Sequence, residues 1–264
     1  MGTGGAGRRE VALSGPYAGM ADAWADGAAL AYGPLARHLV DKAPFPLAGR
    51  FALDAGAGSG VAGDALRAGG AHCVAADREF DMAAHVAGPA VTADVTALPF
   101  RDRVFDLAVA AFVVNHLPDP VAGLSELRRV TQRGGAVLAS TFSADRAAAK
   151  GAVDAVAEAY GFVVPDWYED LRACAHAIGG ATAVEEALDA AGFARWTVTE
   201  QPVDVGPLDA ADVVRYRLSM PHLHRFAATL SADDRAAMAA DATAAVRRTG
   251  ERFAPIVVEA VAEV

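Results

Sequence analysis

The sequence predicts an α/β fold built on a doubly wound parallel sheet, and three observations carry that expectation. Residues 51–54, Phe-Ala-Leu-Asp, are a short apolar run ending on an acid, followed by glycines at alternate positions, Gly56, Gly58 and Gly60. A helix-like stretch starts at Val61, so strand, glycine loop and helix N-terminus succeed one another as they do where such a sheet seats a nucleotide. Further apolar runs of strand length alternate with helix-like runs, and two of them also end on acids, Asp77 and Asp94.

Taken in order, residues 1–14 are glycine-rich and read as a flexible tail. From Tyr17 to about residue 31 the chain is alanine-rich, with Tyr17, Met20, Trp24 and Ala28 near helical spacing. Gly33-Pro34 is expected to interrupt this helix before a second one over 35–40. Pro44 and Pro46 lead into the first strand, 50–54, and a helix over 60–68 closes on Gly69-Gly70. Strands follow at 73–76 and 90–93, separated by a short helix with Met82, and then at 104–113. Pro118 and Pro120 open a helix through Val130, Gly134-Gly135 turns the chain, and a fifth strand covers 136–141.

Beyond that point the pattern changes. Residues 144–180 read as helical with a break at Pro165, and 209–249 as two or three helices. Between them Thr182 is expected to cap a helix to Ala191, with Glu185 completing a capping box, and 196–203 forms a strand. A last strand over 253–261 pairs with that one. The division expected is a tail (1–14), N-terminal helices of a cap (15–44), and a ligand-binding domain (45–264) with helical insertions at about 144–180 and 209–249.

Composition narrows the function. A chain of 264 residues that is 53% hydrophobic can bury a sizeable core, and a net charge of −10 disfavours a nucleic-acid partner. The only lysines, Lys42 and Lys150, lie in no recognisable motif, which disfavours Schiff-base chemistry. Cys73 and Cys174 have no metal or redox spacing, and His222 and His224, two apart, diverge on a helix, so no metal is expected. No run reaches the length of a membrane span and the N-terminus lacks the apolar core of a signal peptide. The expectation is a cytoplasmic protein, off the membrane, monomeric or homodimeric.

Two readings of the glycine loop compete. Gly58, Gly60 and Gly63 spell Gly-x-Gly-x-x-Gly, the dinucleotide fingerprint, although Gly58 lies four residues past Asp54 where that motif follows its strand at once. Asp77 fits either reading, since a strand-end carboxylate accepts ribose hydroxyls in both. Asp54 with its glycines, however, gives Asp-x-Gly-x-Gly-x-Gly, and Met82 stands five residues after Asp77. Asp94 is followed by Leu98-Pro99-Phe100. Then come Val104-Phe105-Asp106, Phe112, His116-Leu117-Pro118-Asp119-Pro120, Glu126, Arg128-Arg129-Val130 and Gly134-Gly135.

In order and spacing these residues resemble the class I S-adenosylmethionine (SAM) methyltransferases of the ubiquinone/menaquinone-biosynthesis type. The resemblance covers about residues 45–142, with weaker agreement near 182–191. It implies a Rossmann-like seven-stranded sheet with the last strand antiparallel, and SAM as cofactor. It assigns cofactor binding to Asp54, Gly56, Gly58, Gly60, Asp77, Met82, Asp94, Val95 and Phe112, with Asp77 on the ribose, Met82 beside the adenine and Asp94 on its amino group. The sequence departs from the family at Asn115-His116, where many relatives carry two histidines, and at Ala55, where a bulkier residue is common.

The chemistry expected is methyl transfer to an oxygen or carbon atom of a small, partly apolar metabolite, in specialised or quinone-like metabolism. The alternative keeps SAM without transferring its methyl and catalyses a cyclisation or isomerisation. His116, just past the fourth strand, is the candidate general base, and Tyr17 is a second catalytic candidate. A histidine titrating near its ordinary value would make the rate fall below about pH 6.5. Trp24, Trp167, Tyr168 and His222 are substrate candidates; His176 and His224 are weaker ones. Each has a plainer alternative: Asp54 ordering the loop, Asp77 and Asp94 capping strand ends, His116 turning its loop, and Tyr17, Trp24 and Tyr32 filling core.

Overall fold

The computed structural model describes residues 15–144 and 147–264. The expected tail over 1–14 lies outside the described residues. Seven strands form one sheet, β1 (Phe51–Ala55), β2 (His72–Asp77), β3 (Ala90–Thr92), β4 (Phe105–Ala111), β5 (Thr131–Phe142), β6 (Arg195–Pro202) and β7 (Ile256–Glu263). Their order is β3-β2-β1-β4-β5-β7-β6, and β7 runs antiparallel to both β5 and β6. The expected doubly wound sheet with an antiparallel last strand is therefore present.

Alternation of side chains across the pleat sends the strands into two cores. One face puts Leu53, Ala108, Ala110, Val137 and Ala139 against Leu124 and Leu127 of α5 (Pro120–Val130) and Val184 and Leu188 of α8 (Ala181–Ala190). The other packs Ala52, Leu107, Val109 and Leu138 against α2 (Ala29–Val40) and α3 (Val61–Ala68) through Leu39, Ala62 and Leu66. A third core gathers over the carboxyl ends of β4 and β5, at Phe112 and beside Phe142. It draws on α2, α6 (Ala148–Ala159), α9 (Ala210–Leu218), α10 (Pro221–Ala227) and α11 (Ala232–Thr249). α7 (Asp166–Ala177) has no buried residue and α4 (Phe80–His85) flanks β2 and β3.

Four local expectations are corrected. First, Gly33-Pro34 does not break the N-terminal helix: α1 (Ala21–Ala23), a π-helical turn (Trp24–Ala28) and α2 run on continuously, with Pro34 inside α2. Proline removes one backbone hydrogen bond, but Ala31, Leu35, Ala36 and Leu39 are buried on its flanks and tertiary packing outweighs that loss. Second, the helix begins at Ala21 rather than Tyr17, because residues 16–19 form a turn.

Third, β5 starts at Thr131. The pairing with β4 shifts between Phe105 and Leu107, and Gly135 sits where a Cβ would strike the Asp106 carbonyl oxygen, so the two glycines form an irregularity inside the strand. Fourth, Thr182 caps nothing. α8 begins one residue earlier behind Gly180, and Glu200 of β6 accepts the Ala181 N–H at 3.1 Å, doing across the fold what a capping box does locally.

Candidate active site

The glycine loop is bent by its own backbone. Gly56, Gly58 and Gly60 have φ of +69°, +54° and +90°, a region that costs other residues about 1–2 kcal/mol. Two carboxylates set the loop's shape. Asp54, at the end of β1 and 1% exposed, accepts the Gly63 N–H in the first turn of α3 at 2.7 Å. Burial pushes its carboxyl up to about 7, the Gly63 hydrogen bond offsetting only part of that. Asp77, at the end of β2, accepts the Gly58 and Glu79 N–H groups at 2.7 and 2.9 Å. Its value is also raised by burial, against the pull of those two hydrogen bonds.

A cavity of about 200 Å³ opens beside this loop. Gly56, Gly58, Asp77, Met82, Asp94, Val95 and Phe112 line it, together with Tyr17, Trp24, Tyr32, Arg78, Glu79 and His116. Asp54 and Gly60 do not: Asp54 stands behind the loop as a helix cap, and Gly60 is the residue that opens α3. Asp94 lies under two hydrogen bonds from Thr96, at 2.8 and 2.7 Å, which outweigh partial burial and hold its carboxyl below the usual range. Phe112 takes φ +58°, unusual for a large side chain, and its N–H is held by the Ser140 carbonyl at 3.0 Å and hydroxyl at 3.2 Å.

The donor-side chemistry of this cavity suits SAM. Among the described residues its carboxylates Asp77, Glu79 and Asp94 outnumber its one cation, Arg78, which matches a sulfonium and a ribose diol. The left-handed glycines let a ligand approach the backbone, and a Cβ at Gly56 would run into the Val113 side chain.

Residues 15–22 lie against the rim of this cavity. Gly15 N–H donates to Glu79 Oε2 at 3.3 Å, Gly19 N–H to Asp81 Oδ2 at 2.7 Å, and Arg225 donates to the Pro16 carbonyl at 3.1 Å. The π-turn then inserts one residue into the helix, so Trp24 and Tyr32, eight apart, share a face as residues seven apart do in an ordinary helix. Their rings stack with centroids 5.1 Å apart, Tyr17 meets Trp24 edge-on at 5.4 Å, and Tyr32 meets Phe112 at 5.1 Å. The three aromatics thus serve as packing and as cavity wall at once.

A second cavity, of about 710 Å³, lies under the inserted helices. Trp167, Tyr168 and His222 line it, and so do His176, Asn115, Phe142, Lys150, Asp154, Arg172, Tyr216 and Arg217. Trp24 does not reach it, and His224 is exposed while His222 is buried, as their spacing implies. His222 stacks on Tyr168, centroids 3.6 Å apart.

Among the described residues, four line both cavities: Tyr17, Tyr32, His116 and Leu171. His116 sits on a 3-10 turn, Val114–His116, and its Nδ1 is hydrogen-bonded to the Tyr17 hydroxyl at 3.3 Å. Burial, assisted by Arg78, lowers the imidazole to about 4, which corrects the expectation of an ordinary histidine. Burial likewise raises the Tyr17 phenol, so both groups are neutral at pH 7.

Sequence reasoning missed most of the larger cavity. Tyr32 reads only as core and Lys150 lies in no motif, yet both line the cavity, and the Lys150 ammonium lies 3.6 Å from the Phe142 ring centroid. Arg217 and Asp154 stand on helices α9 and α6 and come together only through tertiary packing. Phe142, which ends β5 at the sheet's carboxyl edge, carried the one available signal.

Comparison with known proteins agrees with this site. Residues 53–139 match a family model described as a methyltransferase domain. A demethylmenaquinone methyltransferase of Corynebacterium urealyticum is 39% identical over 110 residues, 40% of this chain and 46% of that protein. The chain thus aligns with about half the length of the curated relatives it matches. Among solved structures, phosphoethanolamine N-methyltransferase 2 of Haemonchus contortus in complex with SAM superposes with a TM-score of 0.57 at 15% identity, covering 87% of this chain and 52% of that one. The [4+2]-cyclase SpnF gives 0.52 at 17%, covering 88% and 80%. These two likenesses concern the fold. The matched domain, the curated relatives and the glycine-loop cavity agree: residues 53–139 are similar to the methyltransferase domain of class I SAM-dependent methyltransferases.

Proposed function

We propose that the protein is an enzyme that transfers the methyl group of SAM to an oxygen or carbon atom of a small, partly apolar acceptor, in specialised or quinone-like metabolism. The observation that carries this reading is the junction of two cavities at Tyr17 and His116. In the smaller one, SAM supplies an electrophilic methyl group on a cationic sulfonium. Asp77 and Asp94 hold its nucleoside end, Met82 and Val95 flank it, and Gly56 and Gly58 let it approach the backbone. Asp54 and Gly60 contribute by shaping the loop.

The chain's remaining task is alignment in a dry site, which can supply about 7–11 kcal/mol of a barrier. The aromatic wall of Tyr17, Trp24, Tyr32 and Phe112 serves that end by excluding water. Where the acceptor loses a proton, His116 takes it. With Nδ1–H donated to the Tyr17 oxygen, Nε2 keeps its lone pair, and a base so held contributes about 10²–10⁴-fold. Tyr17 positions the base, while Trp167, Tyr168 and His222 shape the acceptor cavity. Trp24 acts from the donor side.

The proposed setting is the cytoplasm, as a monomer or homodimer acting without nucleic acid. Free Cys73 and Cys174, a net charge of −10, and the lack of any helix among the described residues long and apolar enough to cross a membrane support that. Likeness to the cyclase supports a second reading, in which SAM is retained and the larger cavity folds a substrate for cyclisation. Calorimetry tests the donor half: S-adenosylhomocysteine should bind and NADH should not. Tight NADH binding without S-adenosylhomocysteine binding would return the glycine loop to the dinucleotide reading.

A further inference from the structure

The larger cavity carries charge in an arrangement that the methyltransferase domain does not explain. Among the described residues its lining holds three cations, Lys150, Arg172 and Arg217, and two carboxylates, Asp154 and Glu169, in a chain whose net charge is −10. All five stand on helices α6, α7 and α9, outside the matched residues 53–139. Specificity for an acceptor has to come from such added elements, because the donor half serves every acceptor alike.

Arg217 is the centre of this arrangement. Its side chain is 9% exposed, and Nε and Nη2 donate to the two carboxylate oxygens of Asp154, both at 2.8 Å. Nη2 also donates to the Tyr168 hydroxyl oxygen at 3.4 Å. A two-point carboxylate contact fixes the plane of the guanidinium, and Nη1 makes no hydrogen bond among the described residues. The Tyr168 hydroxyl, having accepted from Arg217, keeps its own proton to donate. Two oriented donors, one on a buried cation, therefore stand at the wall of a cavity flanked by the rings of Tyr32, Phe142 and Tyr216.

Nη1 and the Tyr168 hydroxyl are left able to donate, and the ligand that best accepts from a guanidinium edge and a phenol brings anionic oxygen. Asp154 compensates the guanidinium's charge along one edge only. Lys150, its ammonium over the Phe142 ring, and Arg172 add positive potential on the same cavity.

Resting on the reading of this cavity as the acceptor site, we infer that the acceptor is a planar, unsaturated acid. Its carboxylate is received by Arg217 and Tyr168, and its ring lies along Tyr32, Phe142 and Tyr216. The methyl-accepting atom then faces the Tyr17 and His116 junction, and the carboxylate, held at the opposite recognition point, sets which atom is presented. Arg217 and Tyr168 are thus specificity-determining residues and take no part in the proton transfer.

The test compares 3-hydroxy-2-naphthoate with its methyl ester, two probes of one ring that differ in charge. Binding is measured calorimetrically to protein saturated with S-adenosylhomocysteine. The acid should bind at least about tenfold tighter than the ester, the lower end of what a charged hydrogen bond contributes. Tyr168→Phe, which leaves the Arg217–Asp154 pair intact, and Arg217→Lys, which keeps the charge but loses the planar fork, should each reduce that preference severalfold. Neither should change S-adenosylhomocysteine affinity or lower the melting temperature to the assay range; should Arg217→Lys unfold, Tyr168→Phe alone decides. Equal binding of acid and ester, no binding of the acid at millimolar concentration, or a preference untouched by Tyr168→Phe overturns the inference. Failure of S-adenosylhomocysteine itself to bind overturns instead the methyltransferase reading on which it rests.

Discussion

A half-buried histidine that stays neutral should announce itself in a pH titration. Burial lowers His116 from the ordinary 6.5 to about 4, with Arg78 assisting, which corresponds to about 3 kcal/mol against protonation in place. At pH 5 about nine in ten molecules would then keep a neutral imidazole, whereas an ordinary histidine would leave about three in a hundred. The sign for stability follows from the same shift. The folded value lies below the unfolded one, so protons favour the unfolded chain, and His116 withdraws stability as pH falls from about 6.5 towards 4. The assay is a heteronuclear NMR titration of the ring carbons with S-adenosylhomocysteine bound, the seven histidines being few enough to resolve and His116→Gln identifying the peak. His85 is an internal contrast. It is exposed and donates to the Asp81 carbonyl oxygen, with Asp22 beside it, and those contacts raise its value. A His116 midpoint near 6.5 would refute the reasoning, since it would mean water reaches the junction of the two cavities.

Three further outcomes follow from the loop and its carboxylates. Asp77→Ala removes the acceptor of the Gly58 and Glu79 N–H groups as well as the proposed ribose contact, and should weaken S-adenosylhomocysteine binding by about 1–3 kcal/mol in calorimetry; unchanged affinity removes Asp77 from the site. Gly58→Val forces a branched residue into φ +54° and should abolish that binding with the circular dichroism spectrum retained. There is room for the Cβ itself, 3.6 Å from Trp24 Nε1, so an effect on binding reports backbone strain rather than collision. Asp54 holds a proton in the folded chain that the unfolded chain releases between about pH 4 and 7, so its contribution favours folding at acid pH and fades as pH rises through about 7. Asp54→Asn should therefore gain melting temperature relative to wild type at pH 8 but not at pH 5; a difference independent of pH would contradict the buried carboxylate.

The sheet was legible because its signals are local: apolar runs, strand-end acids, and glycines where the backbone turns left-handed. The spacing of Glu126 and Arg129 after Leu98 also has a physical reason. Arg129 donates to the Leu98 and Phe100 carbonyls at 3.1 and 2.9 Å, and Glu126 accepts the Leu98 N–H at 2.8 Å, so the pair ties the loop after Asp94 to α5. Asp54 shows the opposite case. Its place before the glycines suggested ligand contact, but its partner is the Gly63 N–H, nine residues on, which a linear reading cannot distinguish from a cofactor.

The Pro34, Thr182 and Gly134-Gly135 errors share a cause, since in each a strong local punctuation signal was overruled by a neighbouring element. The larger cavity was least legible. Most of its described residues come from β5, α6, α7, α9 and α10, and no spacing along the chain records that Arg217 meets Asp154, 63 positions away.

The most direct test of methyl transfer across the Tyr17 and His116 junction uses SAM labelled in its methyl group. The wild-type protein is incubated with the labelled donor and a panel of aromatic and unsaturated acids, and products are read by mass. Methyl transfer predicts a product carrying the label and an equal amount of S-adenosylhomocysteine, with His116→Ala lowering turnover about 100-fold for a hydroxyl acceptor while donor affinity holds. A product that requires SAM yet carries no label, with the donor recovered intact, would contradict methyl transfer and assign the larger cavity to cyclisation.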